Sequence, residues 1–176
     1  MKTLTLLRHA RSDWDDPDLR DFDRPLNPRG RRAARRVGEE MMALGLGFDR
    51  TLASPARRVV ETLGEVAAAF GPIQPHLDRR IYLATPEILL ELVRQTDDAV
   101  ASLLLAGHNP GLERLALMLS GPDGALRSEV EVKYPTGTLA EIGFPVERWA
   151  EVAPGTGTIA RFIRPRDLDP ALGPEE

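Results

Sequence analysis

Arg8 and His9 stand side by side directly after the apolar run Thr3 to Leu7. A guanidinium offers a planar fork of donors that stays charged, and a neutral imidazole carries a nucleophilic nitrogen. The pair suits an anion that must be both held and attacked, and phosphate is the obvious candidate. Two other places share this character: Ser54-Pro55 followed by Arg57-Arg58, and Gly107-His108-Asn109-Pro110. The chain has no cysteine, which excludes disulfides, thiolate nucleophiles and thiolate metal sites. His76 lies in a Pro-rich connection without ligand spacing, and P-loop and dinucleotide motifs are absent. The first strand also lacks the D-x-D ending of metal-dependent phosphatases.

These residues need elements that bring them together. Thr3 to Leu7 reads as a buried strand that delivers Arg8-His9 where the chain leaves the sheet. In open α/β sheets, ligands sit at the carboxyl ends of strands. Phe48 to Ala53 reads as a second strand, and Ser102 to His108 as one buried on both faces. Each of these runs into a Ser-Pro or Asn-Pro helix start, at Ser54 and Asn109. Helix N-termini carry unpaired amide donors and partial positive charge, which favour phosphate.

Asn27-Pro28 starts a helix with Ala33, Val37, Met41 and Leu44 as its buried stripe. Its Arg-rich run reads as a solvated face, with Arg35–Glu39 and Arg36–Glu40 as i,i+4 pairs. Val59, Leu63, Val66 and Phe70 mark the helix after Ser54, and Thr85-Pro86 opens another. Beyond Thr136 the runs TLAEIGF, RWAEV and GTIARFI read as strands. The acidic loop 13–23 lacks the glycine turn and distal glutamate of a calcium hand and reads as solvated, with Trp14 and Phe22 pinning it down. Early strand–helix alternation followed by late strands predicts a three-layer α/β/α sandwich with a mixed, mostly parallel sheet. A single domain is expected over 1–164, with a flexible, proline-rich tail over 165–176.

With 176 residues, 42% hydrophobic and 28% charged, the chain is long enough for one well-buried core. A net charge of −4 gives no footprint for nucleic acid, and no apolar run approaches a membrane span. A cytoplasmic protein without nucleic-acid or membrane partners is expected.

Three segments, LLRHA at 6–10, SPARRVVET at 54–62 and AGHNPGL at 106–112, occur in this order across most of the chain. Together they resemble the histidine phosphatase superfamily, with its phosphoglycerate-mutase-like fold. The short length, and the stretch Arg24-Pro25-Leu26 with Gly30, resemble its small SixA-type phosphohistidine phosphatases. The resemblance implies that His9 is the nucleophile and becomes a phosphohistidine, with its other ring nitrogen donating a hydrogen bond. It implies that Arg8, Arg58 and His108 form the phosphate pocket, His108 helping most when protonated, with Ser54 and Asn109 as further substrate-binding candidates. Arg58 rather than Arg57 matches the family spacing, and Arg57 has a sufficient partner in Glu61. No metal or other cofactor is implied. Short spacing between Phe70 and Ala101 leaves no room for a helical lid, so a shallow site is expected.

The sequence departs from the family pattern at two places. Ala10 replaces the usual glycine, which is tolerable if its φ is negative. Asn109 stands where one branch keeps an acidic aspartate, and Asp13, Asp78 or Glu87 could replace it. Without a strong acid the reading tilts toward a leaving group such as imidazole, hence phosphohistidine in a protein. The alternatives are a small-metabolite or phosphoserine phosphatase and a non-catalytic phosphate-binding module.

Overall fold

The computed structural model describes residues 1–173. Six strands form one sheet: β1 (Lys2–Arg8), β2 (Arg50–Ala53), β3 (His76–Leu77), β4 (Ser102–Gly107), β5 (Leu139–Phe144) and β6 (Thr158–Ile163). Their order is β3-β2-β4-β1-β5-β6. The first four in that order are mutually parallel, while β5 runs antiparallel to both β1 and β6. This is the mixed, mostly parallel sheet the sequence predicts. β1 and β4 pair in register from Thr3–Ser102 to Arg8–Gly107. That register sets His9 and His108 at the same level on adjacent strand ends.

The helices are α1 (Pro28–Ala43), α2 (Arg57–Phe70), α3 (Pro86–Arg94), α4 (Gly111–Leu119), α5 (Ala125–Val132) and the short α6 (Pro165–Leu168). Alternation along the strands splits the core in two, as the two-residue period of a strand requires. Leu104 and Ala106 pack with Val37, Met41, Val59 and Val66 beneath α1 and α2. Leu103 and Leu105 face the opposite way, with Leu89, Val93, Leu112 and Leu115 of α3 and α4. The start of α1 follows its sequence signals: Asn27 Oδ1 accepts from the Gly30 amide at 2.7 Å, and Pro28 fills the first turn. Gly30 is required by close approach, since a Cβ there would stand 2.1 Å from the Arg11 carbonyl oxygen. The loop motif therefore seats α1 against the turn that follows His9.

Several expectations are corrected. RWAEV is not a strand but a 3-10 turn, Trp149–Glu151, because the buried Trp149 indole donates to the Val100 carbonyl at 2.8 Å. Ser54 does not cap α2, which starts at Arg57 behind Ala56. Arg35 reaches Glu65 of α2 at 2.9 Å instead of Glu39, whereas Arg36 does pair with Glu40, at 3.9 Å. Trp14 lies exposed over the Arg24 guanidinium, and only Phe22 pins the acidic loop, edge-on to Tyr82. The segment expected to fray at Pro165 instead forms α6 and a second turn, Pro170–Leu172. Pro165 is buried, Leu168 packs on the core under α1, and Arg164 pairs with Asp167 at 2.9 Å. Residues 174–176 of that expected tail lie outside the described residues. Among the described residues no helix is long and apolar enough to cross a membrane.

Candidate active site

His9 is fixed first through its backbone. Its amide donates to Gly107 of β4 at 3.1 Å, and its carbonyl accepts from Gly137 at 2.9 Å. The next amide, of Ala10, donates to the Thr62 hydroxyl at 2.9 Å, which itself donates to the Arg58 carbonyl at 2.6 Å. Thr62, the last residue of the SPARRVVET segment, thus locks the β1 turn to the first turn of α2. The His9 ring lies with Nδ1 2.7 Å from the Ala10 carbonyl oxygen. A carbonyl only accepts, so Nδ1 carries the proton and Nε2 keeps its lone pair. Burial lowers the His9 pKa to about 3; Arg8, Arg58 and His108 push the same way, and only the Ala10 hydrogen bond opposes them. The ring is therefore held neutral, in the tautomer that leaves Nε2 for attack. Ala10 replaces glycine without strain, because Leu83 is the one non-glycine residue with positive φ among the described residues.

Arg58 points inward and Arg57 outward. The Arg58 guanidinium is buried; Nη1 donates to the Asp21 carbonyl oxygen at 2.7 Å and Nη2 to Asp21 Oδ2 at 3.0 Å. Nη2 also lies 3.3 Å from His108 Nδ1. Arg57 instead pairs with Glu61 at 3.0 Å on the outer face, as expected. Since arginine only donates, His108 Nδ1 accepts, and its Nε2–H donates to Ser54 Oγ at 2.8 Å. His108 is thus neutral here, whereas it would help a phosphate most when protonated. Burial lowers its pKa to about 3, with the Arg58 charge adding to the effect. The two imidazoles face each other with centroids 5.4 Å apart.

Asp21 and Tyr82 were missed in the sequence. The Tyr82 hydroxyl donates to Asp21 Oδ2 at 2.5 Å, and its ring stands edge-on to His108 at 5.3 Å. Burial pushes the Asp21 carboxyl up, but the Tyr82 and Arg58 hydrogen bonds outweigh it and hold the group below its usual range. The 3-10 turn Asp21–Asp23 of the acidic loop leans over Arg58, and His9, Arg58 and His108 are all buried. Nothing local separates Asp21 from the other aspartates of that loop.

Arg8 Nη1 donates to the Tyr134 carbonyl at 2.9 Å. Asn109 Nδ2 donates to the same carbonyl at 2.9 Å, and its Oδ1 accepts from the Glu113 amide at 3.2 Å. Asn109 thereby braces the oxygen that positions Arg8 and caps the start of α4. Ser54 is fully buried and holds His108. The three candidate acids are engaged or placed elsewhere. Asp78 is forked to Arg80 at 2.7 and 3.1 Å, Asp13 accepts from the Asp15 amide at 2.8 Å, and Glu87 lies exposed on α3. Among the described residues, no cluster of three or more His, Asp or Glu side chains could hold a metal ion.

The model of the histidine phosphatase superfamily (branch 1) matches residues 4–82. An uncharacterized protein of Mycobacterium tuberculosis is 34% identical over 163 residues, covering 91% of this chain and 100% of the relative. A solved structure from Agrobacterium tumefaciens, assigned as the phosphohistidine phosphatase SixA, is 29% identical with TM-score 0.78, covering 93% and 97% of the two chains. The chain belongs to the histidine phosphatase superfamily. Within it the chain is SixA-like, and it is accordingly a phosphatase. A second solved structure, the protein histidine phosphatase SixA complexed with tungstate, shares the fold at 20% identity and TM-score 0.78, covering 95% and 99%. The superfamily match stops at residue 82, so the pairing of β1 with β4 is what adds His108 to the matched segment.

Proposed function

We propose that this histidine phosphatase hydrolyses phosphohistidine in proteins through a phosphoryl intermediate on His9, without a metal. The observation that carries the substrate reading is Asp21. It is the carboxylate bonded to the Arg58–His108 cluster, and Tyr82 and Arg58 hold it ionised, so it is a poor proton donor. An alkoxide leaving group needs strong protonation, whereas an imidazole leaves readily once protonated by solvent. In the first step the His9 Nε2 lone pair attacks phosphorus and the bond from phosphorus to the substrate imidazole breaks. Arg8 and Arg58 hold the equatorial oxygens, where charge must be stabilised. Water then attacks phosphorus, the P–Nε2 bond breaks with its electrons returning to the ring, and inorganic phosphate leaves. The likeness in fold to a SixA solved with tungstate, a tetrahedral oxyanion, supports a phosphate-binding reading.

Turnover should survive EDTA and depend steeply on the leaving group. A phosphohistidine peptide and an activated aryl phosphate should react well, and glycerol phosphate poorly, in parallel kcat/KM measurements. Activity abolished by EDTA and restored by magnesium would defeat the metal clause. An alkyl phosphate equal to phosphohistidine would defeat the substrate clause and require a carboxylic acid at the site.

The neutral histidine pair also sets the pH behaviour. Both folded-state pKa values lie near 3, below the ordinary 6.5, so the unfolded chain binds more protons between those values. Stability contributed by these rings is present above pH 6.5 and lost as pH falls toward 3. kcat/KM reports the free enzyme, so it should show no acid limb near pH 6.5 beyond the substrate's own ionisation. A limb at 6.5 that persists after that correction would mean that His9 titrates as an ordinary exposed histidine.

A further inference from the structure

The Arg58 guanidinium already holds an anion of the chain itself. Its Nη1 donates to the Asp21 carbonyl and its Nη2 to Asp21 Oδ2, at 2.7 and 3.0 Å. His108 Nδ1 lies 3.3 Å from the same Nη2. The forked end of a guanidinium is the part that matches an oxyanion in shape and charge. A phosphoryl group arriving there meets a carboxylate on the donors it needs, and like charges so close repel. Of the two arginine partners that share Oδ2 and the fork, Asp21 is the one free to move. The 3-10 turn Asp21–Asp23 contributes no buried residue, and the Asp21 side chain is 40% exposed against 6% for Arg58. Segments with few buried contacts shift at low cost.

Tyr82 donates to the same Oδ2 at 2.5 Å, from a part of the chain that is held in place independently. Ile81 and Ala84, on either side of it, are buried. Gly111 of α4 lies so close that a Cβ there would stand 2.2 Å from the Ala84 carbonyl oxygen. Between them Leu83 has φ 50°, a left-handed conformation that a leucine keeps only where its surroundings impose it. The Tyr82 ring stands edge-on to His108 at 5.3 Å and to Phe22 at 5.1 Å, and the Phe22 contact keeps the acidic turn beside it. Asp21 Oδ2 thus has one partner that phosphate would take and one that it would not. We propose that Asp21 is a resident anion which the phosphoryl group displaces from Arg58, and that Tyr82 is the positioning residue that keeps its carboxylate once displaced. The inference rests on the reading that Arg58 binds the phosphoryl group, and it assigns Tyr82 a part in substrate entry.

Calorimetric binding of inorganic phosphate tests the exchange in the wild type, Asp21→Asn, Tyr82→Phe and the double variant. Asp21→Asn removes the resident charge and should bind phosphate about tenfold more tightly. Tyr82→Phe keeps the ring and its packing but leaves the displaced carboxylate without its donor. Phosphate should then bind about tenfold more weakly, the size of one hydrogen bond to a charged group. With phenyl phosphate, Tyr82→Phe should raise KM about tenfold and leave kcat within about twofold, as expected of a change in binding alone. Adding Tyr82→Phe to Asp21→Asn should alter phosphate affinity by less than about twofold, because the charge that Tyr82 receives is gone. Tight binding by the double variant also shows that Tyr82→Phe folds. Equal or weaker binding by Asp21→Asn, or a Tyr82→Phe loss that persists in the double variant, overturns the exchange. Arg58→Ala separates this from the reading of the site. If it binds phosphate as tightly as the wild type, phosphate lies elsewhere and both fail. If it binds phosphate weakly while the Asp21 and Tyr82 variants match the wild type, the exchange alone is overturned.

Discussion

His9→Ala is expected to abolish turnover, with a loss of at least about 10⁴-fold, because a covalent step has no substitute once its nucleophile is gone. The expectation rests on the protonated Nδ1 bonded to Ala10, which leaves Nε2 as the one ring nitrogen with a lone pair. Enzyme quenched in alkali during turnover should carry acid-labile phosphate on His9. Alkaline conditions are needed because phosphohistidine does not survive acid. His108 should not be labelled, since its Nδ1 accepts from Arg58 and its Nε2–H is spent on Ser54. His9→Ala should remain folded, because the backbone bonds of this turn, to Gly107, Gly137 and Thr62, do not involve the ring. Label on His108 or on a carboxylate, with the variant still labelling normally, would sink the assignment.

Much of this site is legible in the sequence because regular structure builds it. The apolar runs ending at Arg8 and Gly107 are buried strands, and such strands can only lie side by side at the centre of a sheet. Arg58 separates from Arg57 by helix geometry, since Arg57 has Glu61 one turn on. Gly30 shows why a glycine follows the RPL stretch, although the contact it avoids is with a residue far back in the loop. What was not legible depends on side chains meeting across the chain. Asp21 is one of six aspartates in an irregular loop, and no periodicity tells which of them turns toward Arg58. Tyr82 follows the short 3-10 turn Arg79–Ile81, and its role exists only through Asp21. Ser54 and Asn109 have the right chemistry for phosphate, yet their polar atoms are engaged with His108, Tyr134 and Glu113. The turn after Pro165 escaped for the opposite reason. Its local signals are present, with proline at the first helical position and the Arg164–Asp167 pair, but a proline-rich acidic tail hid them.

Arg58→Ala is expected to lower kcat/KM about ten- to a hundredfold, equivalent to about 1.5–3 kcal/mol for a charged donor lost from the transition state. Arg57→Ala should stay within a few-fold of wild type, since its surface pair with Glu61 contributes little. Arg58 holds three partners at once: the Asp21 carbonyl, the Asp21 carboxylate and His108. Its removal therefore frees the Asp21 loop and the His108 ring as well as a phosphate donor. Asp21→Asn separates these effects, because it removes the negative charge that competes with phosphate while keeping an acceptor near Arg58. If Asp21 acts by positioning Arg58, that change should alter KM more than kcat and leave the leaving-group dependence intact. If Asp21 were the proton donor, kcat for alkyl phosphates would collapse while activated aryl phosphates were spared. Equal losses at Arg57 and Arg58, or the reverse order, would show that the inward face of α2 has been assigned one residue out of register.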